Sequence, residues 1–296
     1  GIILTEDKVR FSESTLRQYR CAVLHLTNFE KVLGERIETL KINKNYLLAF
    51  EQYLVGLNLT LNSISLYQSK VKAMANYLVG EDIVKVNFRT IKTPKEVSSQ
   101  TYLTINELKK LREAKITKGQ EKVLDAFVIG CMTGFRNHVL RKFLLKPLDY
   151  IREEDGYTFI EIVDSKTNIE SIVPLGETVK KLISKHGYSI KMGEPQYTNR
   201  TLKIICKKAG LDNNVVVRKT VGGVMTEVLQ PKWKTIGNHN SRRTLISLMR
   251  SNNFANNDIQ KISGHSTEAQ MLKYDKSGNY SKIKSMLGNK FFDIDI

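Results

Sequence analysis

The stretch Gly237-Asn238-His239-Asn240-Ser241-Arg242-Arg243-Thr244 holds a histidine and an arginine three positions apart, His239 and Arg242. A second stretch, Ile262-Ser263-Gly264-His265-Ser266-Thr267, lies shortly before Tyr274, which follows His265 by nine residues. Imidazole, guanidinium and phenol side chains together can perform acid–base and nucleophilic chemistry on a phosphate ester. We therefore expect Tyr274 to be a nucleophile that works with these three basic side chains.

Two basic residues upstream extend this set. Arg136 ends the segment Met132-Thr133-Gly134-Phe135-Arg136, directly after an apolar helix, and Lys166 lies in a turn between two β-rich runs. Cleaving a phosphodiester without a metal or a nucleotide requires a nucleophile, positive charge on the nonbridging oxygens and an acid for the leaving alkoxide. The chain has no Gly-rich phosphate loop followed by Lys-Ser/Thr. We expect neither a cofactor nor a bound metal.

Each of these residues also has an ordinary structural explanation. Arg136 could cap a helix or form a surface ion pair, and Lys166 could simply be a solvated turn residue. Gly264 and His265 could mark the end of a helix, and Tyr274 could be half-buried. Their occurrence in one order, Arg, Lys, His-x-x-Arg, His, Tyr, within a basic and helical domain favours a shared function.

The charge of the chain indicates a polyanionic partner. The 296 residues include 47 Lys plus Arg and 30 Asp plus Glu, which gives a net charge of +17. Between positions 201 and 250 there are ten basic residues and two acidic ones, a local excess of +8. Clustered basic side chains release counterions from phosphate backbones, so a polyanion is the natural partner. A solvated basic surface is the alternative for charge taken alone.

The cysteine content and the hydropathy pattern exclude other classes. Cys21, Cys131 and Cys206 are too few and too scattered for a disulfide framework or a Cys-rich metal site. No apolar run approaches the ~18–20 residues of a membrane span, and the N-terminus has no signal architecture. We expect a bacterial cytoplasmic, nucleoid-associated protein without membrane contact. Because the chain begins with Gly1, an additional N-terminal domain upstream is an open expectation.

The fold class predicted from periodicity is mainly α with a small β component, in two domains. Apolar residues at helical spacing predict helices over residues 14–33, with Ser14 as the N-cap, 44–55 and 62–79. These helices form the predicted N-terminal domain, residues 1–90. A basic, Pro- and Ser-containing segment follows and is assigned as a linker, residues 91–101.

The second predicted domain spans residues 102–296. Thr104 and Glu107 have capping-box spacing, and helices are expected over residues 107–114, 121–131, 178–185, 200–209 and onward from Ser241. Residues 157–163 and 169–174 are β-rich and predict one hairpin with Lys166 at its tip. A strand-like insertion over residues 215–229 contains a Gly222-Gly223 turn. This domain is therefore α+β.

Taken in this order, the residues resemble the tyrosine recombinase (phage integrase) family over most of the chain. The His239 and His265 stretches look particularly like integrases of mobile elements from Bacteroides-like bacteria. The resemblance implies a helical, SAM-like core-binding domain followed by an α+β catalytic domain. It also implies DNA integration or excision of a mobile element through a 3′-phosphotyrosine link and a free 5′-hydroxyl.

Residue roles are carried over position by position. The resemblance implies that Tyr274 attacks the phosphate and that Arg136 and Arg242 contact its nonbridging oxygens. Lys166 would protonate the leaving 5′ oxygen. His239 would act as acid or base for the tyrosine, and His265 would hydrogen-bond the phosphate.

One position departs from the family pattern. An acidic residue usually stands three positions after the first arginine, but here that position is Val139, and His138 replaces a common small residue. The support of Arg136 is therefore in question: another carboxylate substitutes, or the enzyme is slower or conformationally regulated. From the sequence we expect Val139→Asp or Val139→Glu to leave activity intact or to raise it.

The expected partners are double-stranded DNA core sites, with a homotetramer assembled on DNA and an accessory DNA-bending protein as a further candidate. The apolar C-terminal tail, residues 279–296, would either fold onto its own domain or dock onto a neighbouring protomer. Two alternative functions share much of the pattern. One is type IB topoisomerase-like relaxation, and the other is a DNA-binding homologue with weakened catalysis.

Overall fold

Helices dominate the computed structural model, which describes residues 11–36, 38, 42–80, 91, 93, 96, 101–265 and 267–274. In chain order the helices are α1 (Glu13–Leu33), α2 (Lys44–Gly56), α3 (Leu61–Gly80), α4 (Ile105–Glu113), α5 (Lys118–Thr133), α6 (Asn137–Leu145), α7 (Glu177–Lys185), α8 (Pro195–Lys208), α9 (His239–Ser251), α10 (Asn256–Ser263) and α11 (Glu268–Leu272). The strands are β1 (Ile151–Glu154), β2 (Tyr157–Asp164), β3 (Ile169–Pro174), β4 (Asn214–Val221) and β5 (Val224–Pro231). The predicted fold class, mainly α with a small β component, is confirmed.

The chain divides into two compact units, one of residues 1–99 and 216–228 and the other of residues 100–215 and 229–296. The predicted division at residues 90 and 102 remains a prediction. Most of the predicted linker and the whole tail, residues 279–296, lie outside the described residues. No helix in the part of the chain that the structure describes is long and apolar enough to cross a membrane.

The first unit is built on α1, α2 and α3. The N-cap of α1 is Ser12, whose side chain accepts a 3.3 Å hydrogen bond from the backbone N–H of Thr15, so the prediction of Ser14 as the cap was wrong. Burial of one apolar face from each helix stabilises the unit. Its core consists of Phe29, Leu47, Phe50, Leu54, Ile64, Val71 and Ala75.

The β4–β5 hairpin contributes residues 216–228 to the first unit. The Gly222 N–H donates to the carbonyl oxygen of Leu59 at 3.1 Å, and Val221 forms an isolated antiparallel bridge with Thr60. Gly222 and Gly223 both have positive φ, as the tight turn requires. The predicted insertion with its Gly222-Gly223 turn is therefore a regular two-stranded hairpin.

The second unit surrounds α5, whose residues from Val123 to Cys131 are all buried. The predicted capping box is present at the start of α4, where Thr104 and Glu107 bond each other's backbone N–H groups. A second capping box, between Thr117 and Gln120, begins α5. The main core of this unit includes Leu111, Leu124, Ile129, Phe143, Leu144, Ile160 and Ile183.

A three-stranded antiparallel sheet, in the order β1-β2-β3, lies in the second unit. Ile160 pairs with Val173, and Asp164 pairs with Ile169 at the turn end of the hairpin. The predicted hairpin is confirmed.

Strand β1 was not predicted because Ile151-Arg152-Glu153-Glu154 is mostly charged and exposed. Helix α6 was missed as well, since it starts at Asn137, directly after Arg136, without a capping side chain.

Candidate active site

Helix α9 carries the buried arginine of the site. The Arg242 side chain is 3% exposed, and its Nη1 donates to the carbonyl oxygen of Gly134 at 2.9 Å. Its Nη2 lies 3.0 and 3.1 Å from the two ring nitrogens of His265, while its buried Nε has no hydrogen-bond partner within the described part of the chain. Burial, followed by the charge of Arg136, lowers the pKa of Arg242 to about 9. The guanidinium therefore stays protonated at neutral pH.

His265 follows the left-handed C-cap of α10 at Gly264 and is 5% exposed. Its Nδ1 lies 2.8 Å from the hydroxyl of Ser263, which orients the ring. Burial lowers the pKa of His265 to about 3, with further lowering by the charges of Arg242 and Arg136. The imidazole is thus neutral at any working pH and has one N–H to donate.

Tyr274 is half-buried after α11, and its backbone N–H donates to the carbonyl oxygen of Met271 at 2.9 Å. The centroids of the Tyr274 and His265 rings are 4.8 Å apart at an interplanar angle of 51°. The guanidinium carbon of Arg242 lies 5.5 Å from the Tyr274 ring centroid, and that of Arg243 lies 6.0 Å away. The proposed nucleophile is therefore packed among one neutral imidazole and two guanidinium groups.

Arg136 lies between the end of α5 and the start of α6, and two groups hold its guanidinium. Nη1 donates to Oδ2 of Asp164 at 2.7 Å, and Nη2 donates to the carbonyl oxygen of Gly264 at 3.0 Å. Because Gly264 precedes His265 in the chain, this second bond fixes Arg136 next to the His265 segment. Its side chain remains 25% exposed, so the guanidinium is accessible to an anion.

Asp164 is the carboxylate that the sequence left unidentified. It ends β2, is 3% exposed, and accepts hydrogen bonds at 2.8 Å from Nε2 of His138 and from the backbone N–H of Lys166. Burial opposes its ionisation, but bonds from His138 and the Lys166 backbone, with the charge of Arg136, lower the pKa of Asp164 to about 2. Val139, by contrast, is 4% exposed in the main core.

Two predicted site residues have looser connections. Lys166 is exposed in the β2–β3 turn. Its backbone N–H donates to the Asp164 carboxylate, which also accepts from Arg136. His239 is exposed at the first turn of α9. Desolvation, then the charges of Arg243 and Arg242, lowers the pKa of His239, so its ring favours the neutral form. The structure thus brings Arg136, Arg242, His265 and Tyr274 into one chain of contacts, with Lys166 and His239 at its edge.

Three residues near the site were not among the predicted ones: Asp164, His138 and Arg243. The sequence signals the position of Arg243 through its adjacency to Arg242. That signal is weak, because consecutive residues in a helix rarely share a face. The nitrogen Nε of Arg243 is buried, and none of the residues that the structure describes forms a hydrogen bond with it. Asp164 stands two residues before Lys166, a spacing typical of an Asx turn, and that spacing could have identified it.

Residues 3–93 match the family model of the phage integrase SAM-like domain. A lambda integrase dimer bound to a COC′ core site is similar in structure, with 17% identity, a TM-score of 0.65 and 90% of each chain covered. The XerH site-specific recombinase bound to palindromic difH has 13% identity and a TM-score of 0.65, covering 95% of this chain and 80% of that one. The chain has the tyrosine recombinase fold.

The Tn1549 transposon integrase in complex with circular intermediate DNA has the same fold, with 14% identity, a TM-score of 0.56, and coverage of 92% of this chain and 98% of that one. No curated protein matches the sequence. At such identities the likeness establishes the tyrosine recombinase fold, whereas activity depends on the side chains of the site.

Proposed function

We propose that the chain is a site-specific DNA recombinase that breaks and rejoins DNA strands through Tyr274. The single observation that carries this proposal is the contact of Tyr274 with His265 and Arg242, at 4.8 and 5.5 Å. Among the described residues, the hydrogen-bond partners of Arg242 are the Gly134 carbonyl oxygen and the His265 ring, and its Nε is unsatisfied. A desolvated guanidinium with unused donors is a binding group for a phosphate oxygen.

In the proposed cleavage step, the Tyr274 oxygen attacks phosphorus, its proton passes to His239, and the bond from phosphorus to the 5′ oxygen breaks. Lys166 donates a proton to that oxygen, which leaves a 3′-phosphotyrosine and a free 5′-hydroxyl. The lowered pKa of His239 supports its role as the base, because a neutral ring can accept the phenolic proton. The reverse step, with a new 5′-hydroxyl, rejoins a strand.

The two guanidinium groups and His265 supply the proposed charge stabilisation. Arg136 and Arg242 would bind the nonbridging oxygens, on which negative charge grows in the transition state. The neutral His265 ring would donate one hydrogen bond to the phosphate. All of these donors are held by the protein before DNA binds, as electrostatic catalysis requires.

A nicked suicide duplex carrying the core site tests the chemistry. In EDTA, the wild-type chain should form a covalent protein–DNA band that Tyr274→Phe abolishes. Tyr280→Phe is the matched control, since it removes a phenol from the same segment without the nine-residue spacing from His265. A band that persists in Tyr274→Phe would reject the assignment of the nucleophile.

Recombination, the favoured outcome, is separated from topoisomerase-like relaxation by strand exchange between two labelled duplexes. The similarity to lambda, XerH and Tn1549 proteins, each solved with DNA, supports a DNA core site as partner and integration or excision of a mobile element as the role. Tetramer assembly with exchange of the tail is part of this proposal. Truncation after Gly288 should then reduce cooperative assembly on DNA in a mobility-shift titration, and unchanged cooperativity would contradict it.

A further inference from the structure

The Asp164 carboxylate serves two elements of the site at once. Its Oδ2 accepts from Nη1 of Arg136 at 2.7 Å, and its Oδ1 accepts from the backbone N–H of Lys166 at 2.8 Å. Nε2 of His138 lies 2.8 Å from the same Oδ1. At 3% exposure the carboxylate is shielded from water, so these three contacts fix its orientation.

The Lys166 turn is closed by the same residue. Besides the side-chain bond, the Asp164 carbonyl oxygen accepts from the N–H groups of Asn168 at 2.8 Å and Thr167 at 3.3 Å. Asn168 adopts a left-handed φ of 52°, as the last turn residue before β3. An Asp side chain that bonds the backbone two residues later is a strong turn former. Asp164 therefore sets the path of the backbone that carries the Lys166 amine.

We propose that Asp164 is a positioning residue that sets Arg136 and Lys166 together, one carboxylate oxygen orienting the guanidinium and the other closing the lysine turn. His138 completes this arrangement by bonding Oδ1. The buried apolar Val139 cannot provide such support, so the carboxylate comes from the β2–β3 hairpin instead. This inference rests on the proposed function, in which both basic residues act on the same phosphate.

Two substitutions at this position separate the two effects. In Asp164→Asn the amide oxygen can still accept from the Lys166 N–H, while the NH₂ group faces the Arg136 donor and cannot accept from it. In Asp164→Ala both contacts are lost. The asparagine variant should therefore misplace only Arg136, and the alanine variant should misplace Lys166 as well.

Single-turnover cleavage of two nicked suicide substrates measures each effect. One substrate has the ordinary 5′ oxygen at the scissile bond, and the other has a bridging sulfur, which leaves as a thiolate and needs no proton. Asp164→Asn should cleave both about 10–100-fold more slowly than wild type, because small misplacements of a catalytic group cost rates of this order. Asp164→Ala should lose about a further tenfold on the oxygen substrate alone.

Three controls calibrate the measurement. The cleavage rate of Lys166→Ala should be restored on the substrate with the bridging sulfur, whereas that of Arg136→Ala should not. Glu170→Gln removes an exposed carboxylate from the same hairpin and should match wild type on both substrates. Thermal melting and DNA binding check the fold of each variant, and Asp164→Val, which suits a strand, replaces the alanine variant if that chain does not fold.

Wild-type-like cleavage by Asp164→Asn would overturn the support of Arg136. If the bridging sulfur changes the cleavage rates of the asparagine and alanine variants by the same factor, Asp164 does not position the Lys166 turn. A wild-type chain that forms no Tyr274-dependent covalent band would instead reject the proposed function, so the two failures are distinguishable.

Discussion

Nη1 of Arg242 donates a 2.9 Å hydrogen bond to the carbonyl oxygen of Gly134, the left-handed C-cap of α5 that stands two residues before Arg136. A matching bond joins Arg136 to the carbonyl oxygen of Gly264, the left-handed C-cap that precedes His265. Each arginine is thus held by the helix end that leads into another residue of the site. Backbone geometry at two glycines consequently sets the spacing of the guanidinium groups.

Gly264→Ala is expected to lower both stability and cleavage. Gly264 has a φ of +60°, and a Cβ there would come within 2.5 Å of the Ser171 hydroxyl, so strain and overlap combine. A loss of about 2 kcal/mol or more in the free energy of unfolding is the expected size. Urea unfolding and the suicide-substrate assay measure the two effects.

Two further variants separate the causes at Gly264. Ser171→Ala in the Gly264→Ala background removes the overlapping hydroxyl and should restore part of the stability, while the φ strain remains. Gly119→Ala is the matched control, because Gly119 lies in α5 with open space around it and alanine favours helix. A Gly264→Ala chain as stable as Gly119→Ala would contradict the argument.

Most helices and the β2–β3 hairpin could be predicted because apolar periodicity and capping residues are local signals. The Thr104–Glu107 capping box and the Gly222-Gly223 turn are examples. Helix α6 could not be predicted in this way, since it has no cap and its first residues are polar. Its stability comes from Phe143 and Leu144, which pack into a core that only the folded chain defines.

The site was predictable as a set of residue types and not as a network of contacts. The ordered residues before Tyr274 indicated the chemistry, whereas the partner of Arg136 depends on strand register that sequence does not state. Asp164 comes from a strand 28 positions away from Arg136. Long-range pairing of this kind follows from tertiary packing. Val139 showed that the usual carboxylate partner of Arg136 is missing, and only the structure identified Asp164 as its replacement.

The stability of the folded chain should fall as the pH is lowered from about 6.5 toward 3, and His265 should contribute to that fall. Its pKa is 6.5 when unperturbed and about 3 in the fold, so between these values the unfolded chain binds a proton that the folded chain does not. The slope for one such group is at most about 1.4 kcal/mol per pH unit. His265→Gln should flatten the dependence in urea unfolding between pH 4.5 and 7.

Asp164 does not contribute to the pH dependence of stability between pH 4.5 and 7. Its pKa of about 2 lies below the ordinary 3.8, so its contribution is present above 3.8 and is lost only as the pH falls toward 2. The lowered pKa of His239 also makes stability fall as the pH is lowered, but this effect is the same in wild type and in His265→Gln. Identical pH slopes for wild type and His265→Gln would show that the ring is not buried as a neutral group.

Asp125→Asn should destabilise the second unit without changing the chemistry at Tyr274. Asp125 is fully buried and accepts from Lys185 at 2.7 Å, from His186 at 2.9 Å and from Arg112. Burial alone would raise the pKa of Asp125, but these bonds and charges lower it. Neutralising it leaves three basic groups without their shared carboxylate, at a cost of about 3 kcal/mol.

The comparison for Asp125 is Asp149→Asn, an exposed position at which the same substitution should have little effect. Both variants should form the covalent complex at the wild-type rate at temperatures where they are folded. A slower cleavage step in folded Asp125→Asn would mean that the cluster is coupled to the site.

Val139→Asp tests whether Arg136 needs a second carboxylate. The sequence led us to expect intact or higher activity, but the burial of Val139 at 4% exposure and the bond from Arg136 to Asp164 change that expectation. A carboxylate at this position would be desolvated in the main core while Arg136 already has its partner, so a loss of about 2–4 kcal/mol in unfolding free energy is expected. Val139→Thr, which adds one polar group at nearly constant volume, should lose less and calibrates the cost of polarity alone. If Val139→Asp is as stable as wild type and cleaves faster, Asp164 does not satisfy Arg136, and the carboxylate three positions after that arginine is the better support.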